Sequence, residues 1–162
     1  MTAAETAPEP SPEPEPFDVG AFLTAAVPMV GTLALEYMET TPERAVLKFR
    51  DQPAYRNHIG GPHAGAMFTL AESASGAIVT AAFGHLMAEA TPLPTTATID
   101  FKKVARGDVT ATATLGRPVA DIIAELQGGT RPEFPIHVAI RRDVDDAVTG
   151  EMTIVWTLRP NN

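Results

Sequence analysis

The chain has 162 residues, a length that predicts one globular domain. Hydrophobic residues make up 44% and charged residues 20%, as in a soluble protein with a substantial core. The net charge of −8 argues against a nucleic-acid partner, and the lack of cysteine excludes disulfides, cysteine nucleophiles and cysteine-based zinc sites. Neither an apolar run of about 18 residues nor a secretory signal is present, so we expect a cytoplasmic protein without a membrane span.

The first 16 residues alternate proline with glutamate. Such a segment has little apolar surface to offset the entropy lost on ordering. We therefore predict a disordered arm over residues 1–16, with a solubilising role favoured over docking, and a single domain over residues 17–162.

Residues 17–27 predict a short helix with Phe17, Phe22 and Val27 on its buried face and Asp18 in its first turn. Pro28 is expected to end that helix or to lie just past it. Residues 30–39 and 44–50 then predict a hairpin, because both are rich in strand-forming residues and the turn between them contains Pro42.

The stretch over residues 57–83 is the most informative part of the sequence. Its Gly-Gly-Pro loop at residues 60–62 cannot be helical, whereas the residues from His63 onwards predict one long helix. Apolar residues recur there at helical spacing, at Met67, Leu70, Ala71, Ala74, Ile78 and Ala81, and Phe68, Val79 and Phe83 make the opposite face apolar too. A helix that is apolar on nearly every face is a buried helix.

Glu72 is the only formally charged residue between Arg56 and Glu89. An unpaired carboxylate in an apolar environment costs several kcal/mol or takes up a proton. Glu72 is therefore the leading candidate for a functional residue.

The second half of the chain predicts about four strands. Residues 84–94 are expected to be a connection, residues 95–104 and 109–115 strands, and residues 134–141 and 151–158 a final hairpin. Residues 119–126 fit either a helical turn or an irregular strand. This order predicts an α+β fold in which one antiparallel sheet curls around the long helix. The other face of the sheet would contact water or a second subunit.

Several polar groups precede Glu72 along the chain. Asn57 lies in the loop and His63 at the helix start, where the N–H groups of Ala64 and Gly65 have no partner within the helix. Such a helix end favours developing negative charge. Together these groups form a plausible site for acyl transfer to water.

The residues from Asn57 to Gly65, Asn-His-Ile-Gly-Gly-Pro-His-Ala-Gly, are followed by Leu-Ala-Glu ending at Glu72. This pattern resembles the hot-dog-fold acyl-CoA thioesterases of the phenylacetate-degradation type, and more closely their thioesterase-like relatives with His-Ala-Gly. The strand end at Phe101 and the Gly-Asp turn at residues 107–108 add to the resemblance, which spans residues 17–159. It implies a hot-dog fold, an antiparallel sheet wrapped around one long central helix.

The resemblance also implies roles. Glu72 would activate water or attack the thioester carbonyl, and the N–H of Ala64 would bind the oxyanion, with Gly65 beside it against the substrate. Asn57 would orient the water and His63 would shape the loop. The site would straddle the interface of a homodimer, or of a dimer of dimers. Alanine at position 64, where the family has glycine, keeps the N–H but narrows the approach.

Lys102, Lys103 and Arg106 are candidates to bind the phosphates of coenzyme A, which would enter only as part of the substrate. No separate cofactor is predicted. A metal site from His58, His63 and Glu72 is not expected, because the spacing fits no common ligand motif.

Other interpretations remain open at this point. Glu72 is also compatible with a structural carboxylate, Asn57 with a turn residue, His63 with a helix cap, and the lysines with solvated charges. His58 precedes Glu72 by a separation found in hot-dog dehydratases and hydratases of hydroxyacyl thioesters, although their loop motif is missing. A hot-dog domain that binds acyl-CoA without turnover is the third possibility.

Overall fold

The computed structural model describes residues 16–161. The predicted arm over residues 1–16 therefore lies outside the described residues, apart from Pro16. The elements in chain order are α1 (Val19–Ala26), α2 (Pro28–Thr32), β1 (Glu36–Thr40), β2 (Arg44–Phe49), α3 (Ala64–Phe83), β3 (Ala90–Phe101), β4 (Val109–Leu115), α4 (Val119–Gln127), β5 (Glu133–Arg142) and β6 (Val148–Pro160), with short 3-10 turns at Pro53–Tyr55 and Gly84–Leu86.

The strands form one six-stranded sheet in the order β1-β2-β4-β5-β6-β3. Every neighbouring pair is antiparallel. Buried and more exposed residues alternate along β2, β4 and β5, so one face of the sheet carries the core. The helix α3 packs against that face, in contact with β2, β4, β5 and β6. The predicted α+β arrangement, an antiparallel sheet around one long helix, is confirmed.

The buried character predicted for α3 is also confirmed. Thirteen of its 20 residues are buried, among them Leu70, Ala71, Ala74, Ile78 and Phe83. By length and composition the segment Ala64–Leu86 would be able to cross a membrane, with a mean hydropathy of 1.3 over its most apolar window. In the fold 67% of that window is buried. The core helices of soluble proteins can have the same length and apolar composition as a membrane span.

The predicted buried face of the first helix is wrong. Phe17 is 66% exposed, and Phe22 and Val27 are 38% and 39% exposed, whereas Val19 and Gly20 are the buried residues of α1. The reason is Gly20. A Cβ on Gly20 would lie 3.0 Å from the ring of Tyr37, so only a residue without a side chain lets α1 approach the sheet this closely.

The first helix is also shorter than predicted, because it covers Val19–Ala26 and not residues 17–27. Asp18 precedes α1 as its N-cap, where its Oδ1 accepts the N–H of Ala21 at 2.9 Å. Pro28 lies just past α1, as predicted, and it occupies the first turn of α2, a position that suits its fixed φ and missing N–H. Val30 consequently lies in a helix, and the first strand starts only at Glu36.

Residues 84–94 are not all connection, because β3 already begins at Ala90. The sequence did not predict this part of the strand, because the prolines at positions 92 and 94 argue against a strand. β3 is an edge strand that pairs only with β6, so a proline there need not remove a ladder hydrogen bond. The ambiguous segment at residues 119–126 is the helix α4.

Candidate functional site

Asn57 shapes the loop that leads into α3. Its side-chain oxygen accepts the N–H groups of Ile59 and Gly61 at 3.0 and 3.1 Å, and its Nδ2 donates to the carbonyl of Pro62 at 3.3 Å. These three hydrogen bonds fold residues 57–62 into a tight turn. The turn role foreseen as an alternative for Asn57 is therefore present in the molecule.

Gly61 presses this loop against the chain that follows β3. A Cβ on Gly61 would lie 2.0 Å from the carbonyl oxygen of Ala105, so no other residue fits without moving the backbone. The contact places Asn57 and Ala64 beside Lys102 and Lys103, and the four residues line one cleft of about 380 Å³. Part of the predicted site is thus brought together.

His63 is the N-cap of α3. Its Nδ1 accepts the N–H of Gly65 at 2.9 Å, so this histidine satisfies one of the orphan donors of the helix end. Within residues 16–161 the N–H of Ala64 has no acceptor. The pair of donors predicted at the helix start therefore reduces to one available donor, the N–H of Ala64.

Glu72 lies two turns further along α3, half-buried in a different cavity of about 230 Å³. Burial raises the pKa of Glu72 above its usual value. Within the described residues its carboxylate takes part in neither an ion pair nor a hydrogen bond, because the one recorded contact of Glu72 uses its backbone carbonyl. A carboxylate in this setting is a proton acceptor without a structural partner.

Tyr37 is the second titratable residue of the Glu72 cavity, and sequence reasoning missed it. Burial and the nearby charge of Glu72 raise the pKa of Tyr37 to about 12, so the phenol stays protonated. Its hydroxyl is buried and has no hydrogen-bond partner among the described residues. A bulge in β1, where the register shifts between Tyr37 and Glu39, breaks the alternation that would have signalled an inward tyrosine.

Trp156 forms another part of the cavity wall. Its Nε1 donates to the Oγ of Ser75 at 3.0 Å, and that hydroxyl donates to the carbonyl of Glu72 at 2.6 Å. The two bonds tie β6 to the turn of α3 that carries Glu72. Sequence reasoning missed this pair too, because Trp156 and Ser75 are far apart in the chain.

Glu72 and Ala64 do not meet within one chain. Glu72 follows Ala64 by eight residues on the same helix, which separates their backbone positions by about 12 Å along the axis. They also line different cavities. The carboxylate of Glu72 and the N–H of Ala64 in a single chain therefore do not share a cavity.

The predicted phosphate-binding residues differ in their surroundings. Lys102 Nζ lies 3.2 Å from Glu151 and 3.5 Å from Asp100, which raise the pKa of Lys102. Lys103 lines the cleft beside Asn57, whereas Arg106 is exposed and lies outside its lining.

No group of three or more histidine, cysteine, aspartate or glutamate side chains suited to a metal occurs within residues 16–161. His58 is exposed in the loop turn and does not line the cavity of Glu72. The histidine and carboxylate that a dehydratase would pair are thus not side by side in one chain.

The hydroxyl of Tyr37 allows a first prediction. Tyr37→Phe removes a buried polar group without a partner, so the free energy of unfolding should hold or rise by about 1 kcal/mol. Tyr55→Phe is the matched control, because the Tyr55 hydroxyl donates to the carbonyl of Thr32 at 3.0 Å. Urea denaturation of both variants measures the difference. A clear loss of stability in Tyr37→Phe would show that the hydroxyl has a partner.

Comparison with known proteins places the chain among related folds. The family model described as a domain of unknown function (DUF4442) matches residues 18–158. No curated protein matches the chain. A Pseudomonas aeruginosa protein of unknown function, described as a probable thioesterase, superposes with a TM-score of 0.78 at 24% identity, over 88% of this chain and 94% of that one.

Two further solved structures are similar at lower identity. A protein from Shewanella oneidensis named as a thioesterase candidate has a TM-score of 0.73 at 12% identity, over 88% of this chain and 95% of its own. A variant of a thioesterase enzyme from Staphylococcus aureus has a TM-score of 0.67 at 17% identity, over 83% of this chain and 100% of that one. These likenesses confirm the predicted hot-dog fold.

Proposed function

We propose that this chain, which belongs to the family of the domain of unknown function DUF4442, is a hydrolase of acyl thioesters. One observation carries the proposal. The half-buried carboxylate of Glu72 lies in a largely apolar cavity, its pKa raised by burial, with no partner among the described residues. The names of the similar structures from Pseudomonas aeruginosa and Staphylococcus aureus point to the same chemistry.

In the proposed reaction Glu72 acts as a general base. It takes a proton from a water molecule, whose oxygen attacks the thioester carbonyl carbon. The N–H of Ala64 donates to the oxyanion that forms. The tetrahedral intermediate then collapses with cleavage of the carbon–sulfur bond, and the leaving thiolate takes up the proton that Glu72 had accepted, which restores the carboxylate. The products are a carboxylic acid and a free thiol.

The proposed site is composite. Because Glu72 and Ala64 of one chain line different cavities, the Ala64 N–H would come from a second copy. Its loop, shaped by Asn57 and capped by His63, would face Glu72 of the first copy. Gly65 would lie beside the bound substrate. This arrangement agrees with the subunit interface implied by the resemblance to thioesterases of the phenylacetate-degradation type.

The edge strand β3 offers a surface for such a dimer. It has 12 residues, and its stretch from residue 94 to 98 is exposed. A long strand with an unpaired edge invites pairing with another chain. A two-fold arrangement would bring two β3 strands edge to edge and join the two sheets into one.

We expect a homodimer, or a dimer of dimers, in solution. Multi-angle light scattering at micromolar protein concentrations should give at least twice the mass of one chain, since each site would need two copies. A monomer with full hydrolytic activity would rule out the composite site.

The thiol end of the substrate is proposed to be coenzyme A. Lys102 and Lys103, which both line the cleft beside Asn57, would bind phosphate oxygens, with Arg106 outside the cleft lining. Lys102 would exchange its contacts to Asp100 and Glu151 for the phosphate. No other cofactor is needed for this reaction.

A thioester assay tests the proposed function directly. Purified protein is incubated with a panel of acyl-CoA thioesters, and free thiol is followed with a chromogenic disulfide reagent. Release of coenzyme A that Glu72→Gln abolishes supports the hydrolase. Hydration of an enoyl thioester would identify a hydratase instead, and saturable binding without turnover would identify an acyl-CoA-binding protein.

A further inference from the structure

Gly76 lies one turn after Glu72 on α3 and lines the same cavity. It occupies the interior of a 20-residue helix, where glycine is less favourable than any residue except proline. Its helical backbone does not require glycine, because its φ is not in the left-handed region. The residue therefore needs another explanation.

Close packing does not explain Gly76. A Cβ on this residue would meet nothing within 4 Å, whereas one on Gly61 would collide with a carbonyl. The missing side chain therefore leaves open space and does not admit a neighbouring part of the chain. That space belongs to the cavity that holds Glu72.

The walls of this cavity are mostly apolar. Residues from α1, α2, α3, β6 and the turn before β3 contribute to them, among them Leu23, Val27, Val30, Val79, Met87 and Trp156. Among residues 16–161, Tyr37 and Glu72 are the only titratable residues in its lining. A negatively charged group would be repelled by Glu72 and would lose its hydration against these walls. An uncharged apolar group would gain from burial there.

We propose that this cavity is the acyl pocket and that the missing side chain of Gly76 sets the size of the acyl group it accepts. The inference rests on the proposed hydrolysis at Glu72, because the thioester carbonyl must then lie against this carboxylate. The acyl group continues from the carbonyl into the apolar space beside Gly76. The substrate class is therefore an acyl thioester whose acyl group is uncharged and apolar.

Gly76→Ala tests this assignment by placing one methyl group in the open space. Rates are measured with straight-chain acyl-CoA thioesters of increasing length. We expect kcat/KM to fall roughly 10- to 200-fold for the acyl groups that fill the pocket, the range for one methylene too many in an apolar site. The shortest acyl groups should react as before, so the preferred length shifts downwards.

Stability gives the readout that separates this effect from damage to the fold. The melting temperature of Gly76→Ala should rise by about 2–4 °C, because alanine favours the helix and its Cβ meets no obstacle. Gly31→Ala is the matched control. Gly31 lies in α2 outside the cavity lining, and its Cβ would approach only the carbonyl of Thr24, at 4.0 Å. This control should leave the acyl preference unchanged.

A second variant should act in the opposite direction. Leu23→Ala removes bulk from the α1 side of the cavity, so the preferred acyl length should shift upwards. Opposite shifts from Gly76→Ala on α3 and Leu23→Ala on α1 would show that both residues contact the acyl group.

Three outcomes would overturn the assignment. They are an unchanged acyl preference in Gly76→Ala, an equal loss for every acyl length, and dissociation of the oligomer seen by light scattering, which would make Gly76 a subunit contact. If the unmodified protein hydrolyses no thioester, the proposed function fails, but the assignment of the acyl pocket can still be tested by binding. Calorimetric binding of S-alkyl thioether analogues of coenzyme A should then show the same shift in preferred length.

Discussion

Glu72→Gln should lower kcat/KM for thioester hydrolysis by roughly 10²- to 10⁴-fold, the range for losing a positioned general base. Glutamine keeps the shape of the side chain but cannot accept the proton of the attacking water. Free-thiol release under steady-state conditions measures the effect. Near-normal turnover in this variant would refute the catalytic role of Glu72.

The stability of the same variant separates a catalytic from a structural role. Burial raises the pKa of Glu72, so the folded protein holds this proton more tightly than the unfolded chain does. The carboxyl group therefore reduces stability as the pH rises from its unfolded pKa through its folded pKa. Glu72→Gln removes this penalty, and its melting temperature at neutral pH should hold or rise. A structural carboxylate would give the opposite result, a weaker fold with normal turnover per folded molecule.

The raised pKa of Glu72 also sets the pH dependence of the reaction. Only the ionised carboxylate accepts a proton, so kcat/KM should increase with pH through the raised pKa of Glu72 and then level off. This acidic limb should be missing from the residual activity of Glu72→Gln.

Ala64→Pro should lower kcat by about 10²- to 10³-fold, the cost of losing one oxyanion donor. Proline has no N–H, and the N–H of Ala64 has no acceptor within residues 16–161. Position 64 is the first residue of α3, where proline is well tolerated. His63 before it has φ −62° and ψ 144°, an extended conformation that suits a residue preceding proline. The fold should therefore survive the substitution.

Ala64→Gly is the matched control for the oxyanion donor. Glycine keeps the N–H and removes only the methyl group, so the rate should stay within a few-fold of that of the unmodified protein. Circular dichroism and melting temperature establish that both variants are folded. An Ala64→Pro protein with full activity would show that this N–H does not bind the oxyanion.

The two inactive variants together test whether the site is shared between subunits. A mixed dimer of Glu72→Gln and Ala64→Pro chains would contain one site with both an intact carboxylate and an intact N–H. Denaturing and refolding an equal mixture should therefore restore roughly a quarter of the activity, since half of the dimers are mixed and each has one working site. No recovery would place both groups in one chain.

Glu72 illustrates how far the candidate site follows from the sequence. Its position as a lone charge in an apolar helix predicts a partly buried carboxylate, and the structure places it in a cavity with a raised pKa. The place of Tyr37 in the same cavity could not be predicted from the sequence, because a bulge in β1 interrupts the alternation that would indicate an inward side chain. Whether Glu72, Ala64 and Asn57 act together in catalysis stays a prediction.

The sequence alone determined the long central helix, the strands at β2, β4, β5 and β6, and the α+β class. These features depend on the period of apolar residues and on turn-forming residues, which are local properties of the chain. Tertiary structure decided the buried face of α1, where the close approach of Gly20 to Tyr37 outweighed the apolar side chains of Phe17 and Phe22. It also decided that Pro92 and Pro94 lie in an edge strand and that Glu72 and Ala64 lie in separate cavities. Such features depend on which surfaces meet across the fold, and a local pattern does not contain that information.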